Sequence, residues 1–249
     1  RDTRGDPARR GVQEAVPVNR SEIEWTDYTW NPVTGCLHGC PYCYARKIAR
    51  RFPQNFPSGF EPAFYPERLE EPAKVKKPAK IFVVSMGDLF GAWVPQEWQD
   101  AVFRVVEENP RHTFQFLTKD PVTMGRAFDR YFGDRVPGNL WFGTSVTGSD
   151  DIGRFLSLPT IDGGVRFVSF EPLLGSISLP NASADWLLGD IDWVIIGAQT
   201  NPTKHPLPAW VDEIIQAANG AGIPVFLKNS IQSWWPETLR EFPAAGGAR

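Results

Sequence analysis

All three cysteines of this 249-residue chain lie between positions 36 and 43, in the spacing C-x3-C-x2-C. Chance alone rarely places the whole cysteine content of a chain in one short loop that also contains glycine and proline. Three thiolates this close together suit a 4Fe-4S cluster in which three irons have protein ligands and the fourth stays open. We therefore predict that Cys36, Cys40 and Cys43 are metal ligands, and that the open iron is where chemistry takes place.

Three other interpretations of the cysteine loop stay open. A structural zinc site, in a noncatalytic binding protein, would need His38, His112, His205 or a carboxylate as a fourth ligand. A disulfide with one leftover thiol is typical of small secreted scaffolds, which this chain exceeds in length. Three inert, buried cysteines are the last alternative, although free cysteines that only fill space are usually scattered.

The loop also fits a longer pattern, C-x3-C-x-aromatic-C, with Tyr42 in the aromatic position. This pattern resembles the cluster loop of the radical S-adenosylmethionine (radical SAM) superfamily. Over residues 20–230 the chain resembles a poorly characterised branch of that superfamily, associated with phages and prokaryotes. The segments that carry this resemblance are Glu24-Trp25-Thr26, Trp30-Asn31-Pro32-Val33-Thr34-Gly35-Cys36, Ser85-Met86-Gly87-Asp88, Leu117-Thr118-Lys119, Gly143-Thr144-Ser145-Val146 and Ser169-Phe170-Glu171-Pro172-Leu173-Leu174. A more distant similarity, to spore photoproduct lyase, is limited mainly to Cys40–Ala45.

Length and composition favour one domain of ordinary globular character. A chain of 249 residues is long enough for a single well-buried α/β domain and short for two. Residues 1–20 are polar and lack apolar periodicity, so we expect a flexible arm there and one domain over residues 21–249. No apolar run approaches the ~20 residues of a membrane span, and we expect a soluble, cytoplasmic protein. A net charge of −3 argues against nonspecific nucleic-acid binding as the main function.

Short apolar runs alternate with helical stretches along the rest of the chain. Predicted strands cover Ile81–Ser85, Thr113–Leu117, Leu140–Val146, Arg166–Phe170, Trp193–Ile196 and Val225–Leu227, with a first strand near Thr29–Thr34. Predicted helices cover Gln96–Glu108, Pro121–Tyr131 and Ala209–Ala221. Near-continuous apolar strands are typical of a parallel sheet covered on both faces, and the alternation indicates repeated right-handed βαβ crossovers.

Six or seven β/α units are fewer than the eight of a closed barrel, so we predict an α/β fold with a partial, open barrel of mainly parallel strands. In such folds the active site forms on the loops that follow the carboxyl ends of the strands. Six separate segments would then converge on one rim: Gly35–Tyr44, Met86–Phe90, Thr118–Asp120, Thr144–Gly148, Glu171–Leu174 and Gly197–Thr200. The irregular, proline-rich residues 53–80 are expected to wrap the barrel or cover its mouth.

The resemblance to radical SAM enzymes implies a specific chemistry. In that superfamily, the amino and carboxylate groups of S-adenosylmethionine bind the open iron. One electron from the reduced cluster then cleaves the cofactor to methionine and a 5'-deoxyadenosyl radical. The radical abstracts hydrogen from a substrate, while the protein supplies placement and excludes competitors. An electron donor such as a flavodoxin or a ferredoxin is implied as a partner.

Cofactor contacts are expected beside the cluster and at strand ends. By its position in the motif, Tyr42 would lie beside the adenine, unless its ring only packs within the loop. The backbone at Gly87 and Asp88 would meet the methionine amino group, or else form a simple turn. Thr144 and Ser145 would bind the ribose hydroxyls or the methionine carboxylate, or else cap the next helix.

Charged residues at strand ends complete the predicted catalytic set. Glu171 should project its carboxylate into the site, unless it forms a structural ion pair with an arginine. Lys119 and Lys228 each terminate an apolar strand, and either could hold an anionic substrate group or be solvated. We predict that Tyr42, Glu171 and Lys119 are catalytic, and that Glu171 also contacts the cofactor.

The substrate is less constrained than the cofactor. Basic residues form two groups, Arg46, Lys47, Arg50 and Arg51 after the cysteines, and Lys74, Lys76, Lys77 and Lys80 in the proposed cover. With ten tryptophans, they favour a nucleic acid or nucleotide through phosphate contacts and base stacking, with a peptide or small metabolite as alternatives. Because there is no fourth cysteine, a returned hydrogen atom would come from Tyr42, Tyr44 or 5'-deoxyadenosine.

Overall fold

The computed structural model describes residues 18–177 and 191–244, which form a layer of helices packed on one central sheet. The strands are β1 (Asn19–Arg20), β2 (Tyr28–Trp30), β3 (Val33–Thr34), β4 (Ala63–Phe64), β5 (Lys80–Val83), β6 (Thr113–Thr118), β7 (Leu140–Ser145), β8 (Val165–Phe170), β9 (Trp193–Ile196), β10 (Gln199–Thr200), β11 (Thr203–Lys204) and β12 (Val225–Leu227). The α-helices are α1 (Tyr44–Arg51), α2 (Glu71–Lys74), α3 (Gln96–Glu108), α4 (Pro121–Phe132), α5 (Ile152–Leu156), α6 (Pro208–Ala221) and α7 (Asn229–Gln232). Short 3-10 turns cover Pro53–Asn55, Pro66–Arg68 and Ser149–Asp151.

The central sheet has eight strands in the spatial order β1-β2-β5-β6-β7-β8-β9-β12. All neighbouring strands from β2 to β12 pair in parallel, and only the two-residue β1 is antiparallel, to β2. The first and last strands of this order do not pair with each other in the described residues, so the barrel is open. The predicted α/β partial barrel is therefore confirmed, with one short antiparallel edge strand added.

The three long predicted helices agree with α3, α4 and α6 to within one residue at each end. Proline occupies the first turn of α4 and α6, where its missing N–H costs no hydrogen bond. Gly222 ends α6 in the left-handed conformation, at φ 68°, which glycine adopts without steric cost. No helix in the described ranges combines the length and apolar character that crossing a bilayer requires.

The predicted first strand over Thr29–Thr34 is wrong as a single element. The chain leaves the central sheet after Trp30, and Val33–Thr34 pairs instead with Ala63–Phe64. Pro32 interrupts the run, because proline has no N–H to donate to a ladder. The side chain of Asn31 supports the bend by accepting a hydrogen bond from the Met86 backbone N–H at 2.8 Å.

The two segments expected to be irregular are partly described. The last residues of the predicted arm are docked: Val18 is buried in the core, and Asn19–Arg20 forms β1. The other residues of that arm, 1–17, lie outside the described residues. The predicted cover over residues 53–80 contains only short elements, including β4 and α2, before β5 begins at Lys80.

Alternate residues of the strands pack in two separate apolar clusters. On the helix side, Phe103 of α3 contacts five aromatic rings at centroid distances from 5.0 to 6.2 Å. On the other side of the sheet, inside the barrel, a second cluster is centred on Trp193, which contacts Trp25, Trp141 and Phe167. The barrel is therefore filled below its rim, and the open space lies at the carboxyl ends of the strands.

The last described segment lies along the free edge of β12. The Leu227 N–H donates to the Leu239 carbonyl at 2.9 Å, and the Glu241 N–H donates to the Val225 carbonyl at 3.1 Å. The carboxylate of Glu241 accepts a hydrogen bond from the Val225 N–H at 2.8 Å. The edge of the sheet is thus covered by the chain itself.

Replacing Phe103 with alanine should lower the free energy of unfolding by about 3–5 kcal/mol, because the cavity would lie among aromatic rings that have no room to collapse. The measurement is urea denaturation followed by circular dichroism. The matched control, Leu156→Ala, removes a side chain that is 65% exposed in α5. It should change the free energy of unfolding by less than about 0.5 kcal/mol, and equal losses in both variants would contradict the assigned core.

Candidate active site

A cavity of about 410 Å³ opens at the carboxyl edge of the parallel strands. All three cysteines line it, together with residues that follow β5, β6, β8, β9 and β12. Its wall includes the predicted site residues Cys36, Cys40, Tyr42, Cys43, Gly87, Asp88, Lys119, Ser145, Glu171 and Lys228. Its apolar part includes Ile23, Trp25, Phe82, Val84 and Leu117. Topology thus brings distant sequence segments together around one space next to the thiols.

The cysteine loop runs directly into α1, and its three thiols are free and partly exposed. Cys43 caps the helix, since its Sγ accepts a hydrogen bond from the Arg46 N–H at 3.3 Å. The guanidinium of Arg46 reaches back to the Cys36 carbonyl at 3.3 Å. Burial raises the pKa of the Cys36 thiol to about 11, although a hydrogen bond with the His38 backbone acts in the opposite direction. A metal bound there would have to displace the thiol proton.

Backbone contacts dock the cysteine loop on the loop that follows β5. The Gly35 N–H donates to the Met86 carbonyl at 2.9 Å, and Gly35 forms a parallel bridge with Gly87. Gly35 has φ +87°, and a Cβ atom there would lie 2.2 Å from the Glu61 carbonyl oxygen. Only glycine fits this position, because any Cβ atom would collide with the backbone of Glu61 and Pro62 on the other side of the cysteine loop.

Asp88 is buried and connects the cysteine loop to the ends of two strands. Its Oδ2 accepts from the Lys119 N–H at 3.0 Å and lies 2.8 Å from His38 Nε2. Its Oδ1 accepts from the Thr118 hydroxyl at 2.7 Å and from the Phe90 N–H at 3.1 Å. The carboxylate therefore has four partners within the protein, so it holds the loops together rather than pointing freely into the cavity.

The environment of Asp88 favours the ionised form. Burial raises the pKa of this carboxyl, but hydrogen bonds from His38, Lys119 and Thr118 outweigh that effect and hold the pKa below its ordinary value. Because the pKa of Asp88 is lower in the folded state, its ionised form stabilises the fold at pH values above the unfolded-state pKa of about 3.9. This stabilisation is lost as pH falls through the lower folded-state pKa. At neutral pH the Asp88 carboxyl is therefore ionised.

Tyr42 and Lys119 lie together on the cavity wall. The Lys119 ammonium is 5.9 Å from the centre of the Tyr42 ring, within the range of a cation–π contact. Burial, followed by the neighbouring Cys40, raises the pKa of the Tyr42 hydroxyl well above its ordinary range. Among the described residues, the Lys119 ammonium has no carboxylate partner, so this cation is available to an anionic ligand.

Thr144 and Ser145 differ in what they face, although both belong to β7 and neither caps a helix. Ser145 lines the cavity, so its predicted contact with the cofactor stays a prediction. Thr144 is fully buried away from the cavity, and its hydroxyl donates to the Thr118 carbonyl at 3.0 Å. Adjacent residues of a strand point to opposite faces, so the predicted cofactor contact of Thr144 is corrected to a contact between β6 and β7.

Glu171 forms an ion pair with Lys228. The partner is therefore a lysine, and not the arginine that the sequence analysis considered. The Lys228 ammonium also lies 3.9 Å from a carboxylate oxygen of Glu24, whose other oxygen accepts from the Asn229 N–H at 2.8 Å. Both Glu171 and Lys228 line the cavity. This part of the cavity wall thus carries one cation between two carboxylates.

The histidines that a zinc site would need have other partners. His38 bonds to Asp88, the buried His112 bonds to the Pro72 carbonyl at 3.1 Å, and His205 packs on Trp234. Within residues 18–177 and 191–244, no group of three or more His, Cys, Asp or Glu side chains is arranged to hold a single metal ion. In a 4Fe-4S cluster each thiolate binds a different iron, so the three donors do not converge on one point.

The sequence did not reveal the contacts that three residues make at the site. Asn31 binds the Met86 N–H, His38 binds Asp88, and Glu24 binds the residue that follows Lys228. Glu24 and Asn31 belong to sequence segments that carry the family resemblance, and His38 lies between two of the cysteines. Their positions were therefore visible in the sequence, but their partners lie 50 or more residues away along the chain.

Taken together, the fold and the cavity define an open parallel β/α barrel with a cysteine-lined site at its carboxyl rim. Residues 20–247 match the family model described as protein of unknown function (DUF5131), and the chain belongs to that family. No protein with a curated description matches the sequence.

Solved structures of spore photoproduct lyase share the fold. The complex of this enzyme with dinucleoside spore photoproduct has 12% sequence identity and a TM-score of 0.59, over 88% of this chain and 81% of that chain. A doubly substituted variant with bound AdoMet and dinucleoside spore photoproduct has 13% identity and a TM-score of 0.53, over 84% of this chain and 65% of that chain. At such low identity, the likeness establishes a common architecture.

Replacing Asp88 with asparagine should lower the free energy of unfolding at pH 7 by about 2–3 kcal/mol, because buried donors would lose a charged acceptor. The difference from the parent protein should begin to narrow below about pH 4, where this carboxyl becomes protonated in the unfolded parent, and should vanish as pH falls through the lower folded-state pKa. Denaturant titrations at several pH values measure both effects. The control, Asp134→Asn, alters an exposed carboxylate and should match the parent; an equally stable Asp88→Asn protein would refute the connecting role.

Proposed function

We propose that this protein is a radical SAM enzyme that binds a 4Fe-4S cluster through Cys36, Cys40 and Cys43. The observation that carries the proposal is the placement of all three thiols on one cavity, at the carboxyl rim of an open parallel barrel. The fold shared with spore photoproduct lyase supports it, since one of those structures holds AdoMet.

The donor set fits the cluster. Three cysteines supply three of the four thiolates that a 4Fe-4S cluster usually receives, which leaves one iron for an exogenous ligand. When bound, the reduced cluster supplies one electron that cleaves S-adenosylmethionine to methionine and a 5'-deoxyadenosyl radical, and that radical abstracts hydrogen from the substrate. A zinc-stabilised binding protein would need a fourth ligand from side chains that are engaged elsewhere.

The chain's own residues provide placement around this chemistry. Gly35 and Asp88 fix the cysteine loop against the ends of β5 and β6. The apolar wall formed by Trp25, Phe82 and Leu117 excludes water from the inner end of the cavity. A reactive carbon radical needs such protection, because it reacts with any hydrogen donor within reach.

Polar groups on the wall suit the parts of S-adenosylmethionine. The Tyr42 ring would lie against the adenine, and Ser145 would bond a ribose or carboxylate oxygen. The Lys119 ammonium would hold the methionine carboxylate or a substrate anion. Glu171, paired with Lys228, would accept hydrogen bonds from hydroxyl or amino groups of the cofactor or substrate. For the amino group of methionine, the Gly87 carbonyl oxygen would be the acceptor, whereas the carboxylate of Asp88 already has protein partners.

A nucleic acid or nucleotide is the proposed substrate class. Lys119 places a cation without a carboxylate partner among the described residues on the cavity wall, whereas Lys228 is paired with Glu171. Lys47 lies exposed nearby, where its ammonium donates to the Asn201 carbonyl. Aromatic rings and cations together suit base stacking and phosphate contacts. Spore photoproduct lyase, which shares the fold, binds dinucleoside spore photoproduct, and this supports the same substrate class. A peptide or a small metabolite is the alternative.

Anaerobic reconstitution with iron and sulfide tests the cluster assignment directly. The parent protein should take up about four irons per chain, and each of Cys36→Ala, Cys40→Ala and Cys43→Ala should lose the iron and its visible absorption. With dithionite and S-adenosylmethionine, only the parent should form 5'-deoxyadenosine. His205→Ala is the control, because that ring lies outside the cavity wall. Tight zinc binding without cofactor cleavage would overturn the proposal.

Replacing Lys119 with methionine should weaken S-adenosylmethionine binding about tenfold, since one charged hydrogen bond would be lost. Isothermal titration of the cluster-loaded protein measures the dissociation constant. Lys77→Met removes an exposed cation outside the cavity and should leave the constant unchanged. If Lys119→Met binds the cofactor normally but loses turnover on an oligonucleotide, the ammonium holds the substrate instead.

A further inference from the structure

The stretch that follows the first cysteine exposes both cations and large apolar side chains. Among the described residues, eight large apolar side chains are exposed, and four of them, Leu37, Tyr44, Ile48 and Phe52, lie in this one stretch. Helix α1 has the sequence YARKIARR, with four cations and no carboxylate. For a chain of net charge −3, this is a local excess of positive charge.

A second cavity, which we call the outer cleft, lies between α1 and residues 59–61 and has a volume of about 400 Å³. Arg46 and Arg50, one helical turn apart, line it with Leu37 and Phe60, and Glu61 contributes its one carboxylate. The Arg46 guanidinium lies 5.5 Å from the centre of the Phe60 ring. The outer cleft is therefore concave, partly aromatic and positively charged.

Cys36 lines both the outer cleft and the inner cavity. The cysteine loop is thus a thin wall, with the inner cavity on one side and solvent on the other. The Arg46 guanidinium bonds the Cys36 carbonyl from the side of the outer cleft. A molecule seated in the outer cleft would lie next to a proposed cluster ligand without entering the inner cavity.

The proposed function needs one electron for each cleavage, and this electron has to come from outside. An inner cavity of about 410 Å³ has room for a cofactor and part of a substrate, but not for a carrier protein. The carrier must therefore dock on an outer surface close to the thiols. The surface around the outer cleft lies this close, because Cys36 forms part of both the outer cleft and the inner cavity.

We infer that the outer cleft and the exposed cations of α1 dock an acidic one-electron carrier protein of the flavodoxin type. The inference rests on the proposed function and names a partner for the same site. Positive charge on α1 complements an acidic partner and would speed its encounter, while arginine beside apolar groups is typical of protein interfaces. The concave cleft with Phe60 suits a flat flavin edge exposed on the carrier's surface.

The electron transfer balances without an added reactant. The anionic flavin hydroquinone of the carrier loses one electron and becomes the neutral semiquinone, with no proton transferred. The cluster gains that electron. The carrier is therefore oxidised by one electron each time it reduces the cluster, and it must be reduced again elsewhere.

Charge reversal at exposed positions of α1 tests the docking surface in a binding measurement with oxidised flavodoxin, which does not depend on turnover. The variant Arg50→Glu with Arg51→Glu should weaken binding of oxidised flavodoxin about tenfold or more in low salt, and rising salt should weaken binding to the parent protein. The milder pair Arg50→Gln with Arg51→Gln should have an intermediate effect, which guards against a folding defect. Lys76→Glu with Lys77→Glu makes the same charge change in a separate groove and should bind normally.

Turnover separates this inference from the proposed function. With dithionite, the charge-reversed variant and the parent should form 5'-deoxyadenosine at equal rates, whereas with reduced flavodoxin the variant should be about tenfold slower. No product from the parent with dithionite would refute the proposed function itself. Equal flavodoxin-driven rates in both proteins would refute only the docking surface. It would also be refuted if the variant lost binding of a single-stranded oligonucleotide but kept flavodoxin, or if a ferredoxin alone bound the parent.

Discussion

The contact between two loops at the carboxyl edge of the sheet holds the candidate site together. One loop carries the cysteines, and the other follows β5. Their backbones meet at Gly35 and Gly87, and the ring of His38 meets the carboxylate of Asp88. Because the cysteine loop has little regular structure before α1, its shape is fixed by these contacts. A cluster with three ligands from one loop requires that loop to be held in place, since all three thiolates change position together when the loop moves.

The architecture could be predicted from the sequence because it depends on periodicity. Buried strands such as Trp193–Ile196 have uninterrupted apolar runs, and α6 begins at a proline and ends at Gly222. Once the strands are parallel, topology alone places their carboxyl ends on one rim. The grouping of the cysteines with Lys119 and Glu171 around one cavity therefore followed from the order of elements.

The direction of individual side chains could not be predicted in the same way. Thr144 and Ser145 are equivalent by sequence, but the alternation of the strand buries one and turns the other to the cavity. For Asp88 the sequence predicted a backbone contact with the cofactor, and it gave no sign that the carboxylate has four protein partners. The partner of Glu171 lies 57 residues away, a distance over which sequence patterns carry no pairing information.

The segment that pairs with the edge of β12, around Leu239 and Glu241, bears on how an open barrel avoids aggregation. A free marginal strand is a template onto which an extended segment of another molecule can add, and repeated addition leads to fibrils. Here Leu239 and Glu241 already occupy that template. The barrel can therefore stay open, with space for a large ligand, without exposing the backbone edge of β12 to strand addition by another molecule.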